Sequence, residues 1–216
     1  MYQRFFKRLL DIVLAAFLII ILSPFYLCLF VYVRIFMGSP VLFSQERIGK
    51  NEKTFKLYKF RSMTNETDEN GKLLDEQKRL TKAGILLRSS SLDELPELFC
   101  ILAGKMSFVG PRPLPTYYAP FFLDKERIRH SVCGGLIPPD GLCGETTPEW
   151  ETQFEYDVYY AENVSFVLDI KVIFATFKIL FKRMKNNYGA EDRPHLNEYR
   201  KNMIIEQENE NELSIK

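Results

Sequence analysis

Residues 12–33 carry no charged side chain, and this apolar run of 22 residues dominates the hydropathy pattern of the chain. As a straight helix it would extend about 33 Å, enough to cross a hydrocarbon core of about 30 Å. Ser23-Pro24 falls at its middle, where proline removes a backbone donor and clashes with the preceding turn. Two outcomes fit that position. One is a kinked single span, and the other is a helix-break-helix whose limbs enter and leave by one face. Arg4, Lys7 and Arg8 precede the run and Arg34 follows it, as the second outcome requires if both ends are cytoplasmic. No small-residue cleavage pattern follows, so a signal peptide fits poorly.

Beyond the apolar run the period shortens. Residues 41–63 read as two short strands around a Gly-Lys-Asn turn, with Phe55 and Leu57 alternating against polar neighbours. Residues 65–75 are polar and acidic and contain Asn70-Gly71, which predicts a surface loop. Residues 75–88 read as a helix. Ser91 followed by Glu94 forms the pattern of a capping box, opening a second helix with Leu92, Leu95, Leu98, Phe99 and Leu102 on its apolar face. Gly104 ends it. Three prolines make 110–115 a rigid loop, and the Gly- and Pro-rich stretch 131–148 reads as irregular.

Phe166 to Met184 predicts a final apolar helix with Lys171, Lys178 and Lys182 on one stripe. Two roles suit it: a core helix with a solvated edge, or a helix lying in the membrane interface with its lysines toward anionic headgroups. From about Lys201 the chain is rich in Glu and Asn, a composition that predicts disorder.

The 29 Lys and Arg residues nearly balance the 28 Asp and Glu residues. Wholesale nucleic-acid binding is therefore not expected. Cys28, Cys100, Cys133 and Cys143 form no C-x-x-C pair and have no His partner at zinc spacing, which points to free thiols in a reducing compartment. His130 and His195 have no neighbouring nucleophile, and no G-x-x-x-x-G-K-[ST] phosphate loop is present.

The candidate chemistry gathers around Asp93-Glu94. Acids at a helix start also serve the helix dipole, so the pair alone has a structural explanation. Its surroundings sharpen the picture. Arg88 precedes the pair, Arg112 is fixed between Pro111 and Pro113, and Lys59 and Arg61 share parity on the second strand. Arginines clamp phosphoryl oxygens, while an acid can attack phosphorus or hold a metal. Adjacent helical positions differ by about 100°, which favours separate roles for the two acids.

These residues resemble the bacterial sugar transferase family, the small monotopic phosphoglycosyl transferases. The similarity runs from Lys7 to about Arg183. It includes Lys-Arg-Leu-Leu-Asp at 7–11, Ser23-Pro24, Gln-Glu-Arg-Ile-Gly at 45–49 and Lys-Phe-Arg-Ser-Met at 59–63. It continues through Arg88 to Pro96 and through Met106 to Pro113. The resemblance implies a re-entrant helix broken at Ser23-Pro24, a catalytic and metal-holding Asp93-Glu94 dyad, magnesium dependence and a UDP-sugar donor. Larger relatives carry an extra multi-span domain, so a minimal catalytic form is implied. One region departs from the family pattern: Pro139 to Gly144 is followed by Glu145-Thr146-Thr147-Pro148, without the arginine that many relatives have there.

The expected fold is a predominantly α-helical α+β chain. Residues 1–40 would form a re-entrant membrane hairpin and 41–185 a compact cytoplasmic catalytic domain with a short β-hairpin and an interfacial C-terminal helix. Residues 186–216 would form a partly disordered tail. The expected reaction transfers a sugar-1-phosphate from a UDP-sugar to polyprenyl (undecaprenyl) phosphate and releases UMP through an aspartyl-phosphosugar. Lys59, Arg61, Arg88 and Arg112 would hold phosphate. The expected setting is the bacterial inner membrane, with its lipid as a partner and a homodimer left open. A glycosyltransferase releasing UDP and a non-enzymatic membrane scaffold are the alternatives.

Overall fold

The computed structural model describes residues 2–185 and 193–201. After a π-helical first turn, Tyr2–Phe6, the apolar run folds as two helices, α1 (Lys7–Ile21) and α2 (Ser23–Met37), bent by 65° at Leu22. Pro24 has no N–H to give to the carbonyl of Ile20, and the Ser23 hydroxyl bonds that carbonyl instead at 2.8 Å. The Ser-Pro pair thus breaks the helix while leaving no orphaned acceptor, which would cost several kcal/mol in an apolar medium. No single helix among the described residues is long and apolar enough to cross a membrane; the bent pair is, by length and composition.

Only one side of the pair packs on the rest of the molecule. Ala15 meets Phe55, Leu57, Leu98 and Ile101, and Leu29, Val33 and Met37 meet Phe60 and Leu87. The other side leaves Val13, Ile20, Leu27 and Ile35 more than half exposed.

The polar residues at the start of α1 act as tethers. Arg8 donates to the carbonyls of Ile101 and Leu102 at 2.7 and 3.0 Å, satisfying helix-end acceptors. Lys7 pairs with Asp169 at 2.7 Å. Sequence reasoning assigned these cations to membrane orientation alone, and their second role depends on partners 93 or more residues away.

Strands β1 (Leu42–Ile48) and β2 (Thr54–Phe60) form the expected antiparallel hairpin, in the register Gln45 opposite Leu57. The loop at 65–75 is mostly exposed, as expected. The helix expected over 75–88 is divided into α3 (Glu76–Arg79) and α4 (Lys82–Ser89). Leu80 bridges Met63 between them, and Thr81 caps α4 by accepting the Gly84 amide at 3.0 Å.

The capping box at Ser91 and Glu94 does not form. Ser91 is left-handed (φ 55°), Leu92–Glu94 is a single 3-10 turn, and α5 (Glu97–Leu102) starts after Pro96. A helix begun at Ser91 would carry Pro96 past its first turn, where the ring clashes with the preceding turn. Gly104, at φ 80°, follows α5 as expected.

The stretch 131–148 is not irregular throughout. Gly134–Ile137 forms β4, which pairs in parallel with β3 (Met106–Val109). The glycines that suggested a loop serve close approach instead, since a Cβ on Gly135 would lie 2.1 Å from the Gly110 nitrogen.

Helix α6 (Trp150–Glu162), which the sequence reading missed, follows. The final helix, α7 (Phe166–Lys185), matches its expected span. Val167, Phe174, Phe177 and Phe181 are exposed along it beside Lys171, Lys178 and Lys182. Residues 193–201 fold back, with Leu196 fully buried and Arg193 and Arg200 reaching Gln153, Glu151 and Glu126. The disorder expected beyond Lys201 lies outside the described residues. The described residues are mostly helical, with two small sheets, and are of α+β type.

Candidate active site

Four elements converge on the acidic pair: β2, the C-terminal end of α4, the 92–94 turn with α5, and the loop after β3. Lys59 follows Phe55 and Leu57 on the inward side of β2, which brings its ammonium under the 92–94 turn. Its Nζ lies 2.7 Å from Glu94 Oε1 and 3.2 Å from Glu97 Oε1. Arg112 Nη1 reaches the same Glu94 oxygen at 3.0 Å. Glu94 is therefore held between two cations, and although burial opposes it, Arg112 and Lys59 keep its carboxyl well below the usual carboxylate range.

Asp93 differs. It is buried, and no described side chain donates to its carboxylate. Burial, followed by the Glu94 charge, pushes it up to about 6, against the pull of Lys59, Arg88 and Arg112. The two acids thus have the divergent environments that separate roles require.

Arg112 is held by its backbone. Prolines leave few amides in this loop, and four successive carbonyls are engaged instead. Gly135 N–H donates to Pro111 O at 2.9 Å, and Arg129 Nη2 donates to Arg112 O at 2.7 Å. Arg47 Nη1 reaches Pro113 O at 3.1 Å, and Ile48 N–H reaches Leu114 O at 2.9 Å. Arg129 is itself fixed by Asp157, both of them fully enclosed.

Of the residues singled out in the sequence, Asp93, Glu94, Lys59 and Arg112 come together. Arg88 stands close enough to lower Asp93, and its Nε donates to Ser62 at 2.9 Å. Arg61 is placed elsewhere. The strand ends at Phe60, so parity with Lys59 is lost, and its Nη1 donates to Ser39 O at 3.0 Å, just past α2. Ser23 and Pro24 form the helix break.

Glu97 was missed. Burial pushes it up to about 7, and it shares Lys59 with Glu94. A charged residue beside Leu95, Leu98 and Ile101 was the available signal. Arg129 and Arg47 were missed too, because nothing local marks a side chain whose partner is a distant carbonyl.

A small cleft opens beside this cluster, with Lys59, Glu97, Arg112 and Arg47 on its wall. Among the described residues no group of three or more His, Cys, Asp or Glu side chains is arranged to hold a metal ion. Magnesium needs fewer, commonly one or two carboxylates completed by water and substrate phosphate. Asp93 beside Glu94 meets that requirement.

The model of the family described as Bacterial sugar transferase matches residues 2–183. The chain is 45% identical over 172 residues to the Uncharacterized sugar transferase EpsL of Bacillus subtilis (strain 168), covering 80% of this chain and 85% of that protein. It is 39% identical over 182 residues to the UDP-glucose:undecaprenyl-phosphate glucose-1-phosphate transferase of Klebsiella pneumoniae, covering 79% and 39%. It is 32% identical over 185 residues to the UDP-N-acetylgalactosamine-undecaprenyl-phosphate N-acetylgalactosaminephosphotransferase of Aeromonas hydrophila, covering 82% and 44%. The chain spans less than half the length of these last two relatives. The match takes in the bent hairpin, the acidic pair and the loop that carries Arg112, and the chain belongs to the bacterial sugar transferase family.

Proposed function

We propose that this chain is a membrane-associated phosphoglycosyl transferase that moves a sugar-1-phosphate from a UDP-sugar to undecaprenyl phosphate and releases UMP. The observation that carries the reading is the contrast within the dyad. Asp93 is buried with no donor to its carboxylate among the described side chains, whereas Glu94 is clamped by Lys59 and Arg112. The names of the Klebsiella and Aeromonas relatives support the class of substrates.

In the first step an Asp93 oxygen attacks the β-phosphorus of the donor. The bond from that phosphorus to the bridging oxygen breaks, and UMP leaves with the electron pair. In the second step an oxygen of undecaprenyl phosphate attacks the same phosphorus and returns Asp93 as a carboxylate. That acceptor is already an anion near neutral pH, so no strong base is needed. Arg112, Lys59 and Arg88 supply positive charge where phosphoryl oxygens gather. Asp93 and Glu94 are the residues that would hold magnesium, which when bound neutralises diphosphate charge.

The bent α1–α2 pair serves as a re-entrant hairpin on the cytoplasmic face, and α7 lies in the interface with its phenylalanines down and its lysines at headgroup level. The site then meets a lipid-borne phosphate from below and a soluble nucleotide from above. The test is the nucleotide released. Purified enzyme given UDP-glucose or UDP-galactose and undecaprenyl phosphate should yield UMP, with an adduct on Asp93 visible by intact mass. UDP as the product overturns the reading.

A further inference from the structure

We propose that Glu97 is a positioning residue that takes Lys59 over from Glu94 and so frees the dyad for a divalent cation. The inference rests on the metal-holding reading of Asp93 and Glu94 given above.

One oxygen of Glu94 carries two cations. Lys59 Nζ lies 2.7 Å and Arg112 Nη1 3.0 Å from Glu94 Oε1. A divalent cation approaching that carboxylate meets both positive charges at close range, and like charges repel strongly where water is scarce. One of the two has to give way. The Arg112 side chain is 29% exposed and can follow a phosphoryl oxygen. Lys59 is the more enclosed, and its ion-pair partners among the described residues are Glu94 and Glu97 alone.

Glu97 gives the ammonium a second seat. Its Oε1 lies 3.2 Å from the same Nζ, so a small displacement turns the longer contact into the shorter. Lysine suits such a move, being a point charge on a flexible stem. Both side chains line the small cleft, which leaves the ammonium room to shift. Position on the helix does not explain Glu97. It opens α5, where an acid complements the dipole, but an exposed acid would do that as well. Glu97 is 3% exposed instead, and a buried carboxylate is costly unless a cation meets it. The cation it meets is the one that Glu94 already holds.

The test uses the full chain in detergent or nanodiscs, with Mn²⁺ alone as the probe and paramagnetic resonance to separate free from bound ion. Glu97→Gln keeps the shape and removes the charge. It should weaken Mn²⁺ binding about fivefold or more, because Lys59 then stays on Glu94. In a Lys59→Met background the competitor is gone, and the same Glu97→Gln change should alter Mn²⁺ affinity by less than about twofold. In assays of UMP release, Glu97→Gln should raise the half-saturating magnesium concentration by a larger factor than it lowers the rate at saturation. A Glu97→Gln protein that binds Mn²⁺ as the wild type does overturns the proposal. Equal weakening in both backgrounds also overturns it, since Glu97 would then act on the metal directly and not through Lys59. Should Lys59→Met fail to fold, Lys59→Gln removes the charge, with the same expectation. A wild type that binds no Mn²⁺ ends the proposal but not the phosphotransfer reading. Release of UDP instead of UMP would sink that reading while leaving the Mn²⁺ ratios untouched.

Discussion

Asp11 accepts the backbone amide of Phe108 on Oδ1 at 3.0 Å, joining α1 to the strand that runs into the Arg112 loop. The neighbouring carbonyl, Val109 O, lies 3.0 Å from the Tyr160 hydroxyl, which gives its one proton to Asp169, the partner of Lys7. The apolar hairpin therefore determines where β3 lies, and β3 determines where Arg112 begins.

Asp11→Leu leaves the Phe108 amide buried without an acceptor, at a cost of about 1–3 kcal/mol. Asp11→Asn keeps an acceptor oxygen. The leucine variant should lose about tenfold or more in UMP release and gain protease sensitivity, while the asparagine variant stays within a few-fold of wild type. Equal behaviour of the two in a release assay and limited proteolysis would remove this coupling.

Much of the fold was legible because its signals were local. The apolar run, Ser23-Pro24, the alternation at Phe55 and Leu57, and the final amphipathic helix each mark themselves within a few residues. The losses were non-local. Ser91 and Glu94 satisfied a capping pattern, but Lys59 and Arg112 draw the Glu94 side chain away from the Ser91 amide. Gly134 and Gly135 suggested a loop because their use is the close approach of another backbone. Asp93, Glu94, Lys59 and Arg112 were found by type and spacing. Glu97 and Arg129 were not, since what marks them is burial beside a partner.

Asp93→Asn replaces the attacking carboxylate with a far weaker nucleophile. It should abolish UMP release and leave no phosphosugar adduct by intact mass. Glu94→Gln removes the charge shared by Lys59 and Arg112, and should lower the rate about 10²-fold or more while leaving the protein folded. Near-normal turnover in a folded Asp93→Asn enzyme ends the covalent mechanism.

Topology follows from the break at Ser23-Pro24. Each 15-residue limb extends only about 22 Å, short of the hydrocarbon core of about 30 Å. Cysteines placed at residues 2 and 45, in a background in which the four native cysteines are replaced, should be labelled only from the cytoplasmic side. Ser23→Ala with Pro24→Leu should straighten the pair and carry residue 2 across. Periplasmic labelling of residue 2 in the otherwise native sequence would leave a conventional span.

His130 also makes folding stability depend on pH in a distinctive direction. Burial, Arg129 and Arg127 depress it from 6.5 to about 4, against the pull of Glu52. Above pH 6.5 the imidazole is neutral in both the folded and the unfolded chain, and its full contribution is present. As the pH falls from 6.5 to 4 the unfolded chain takes up a proton that the folded one refuses, and about 3 kcal/mol of stability is lost. Asp93, Glu97 and Asp157 are raised, to about 6, 7 and 7, and push the other way over the same range. The difference between wild type and His130→Phe isolates the imidazole. Denaturant unfolding at pH 7.5 and pH 4.5 should show the wild type losing more stability than the variant on acidification, by about 2–3 kcal/mol. A parallel loss in both proteins would mean that His130 takes up its proton in the folded state.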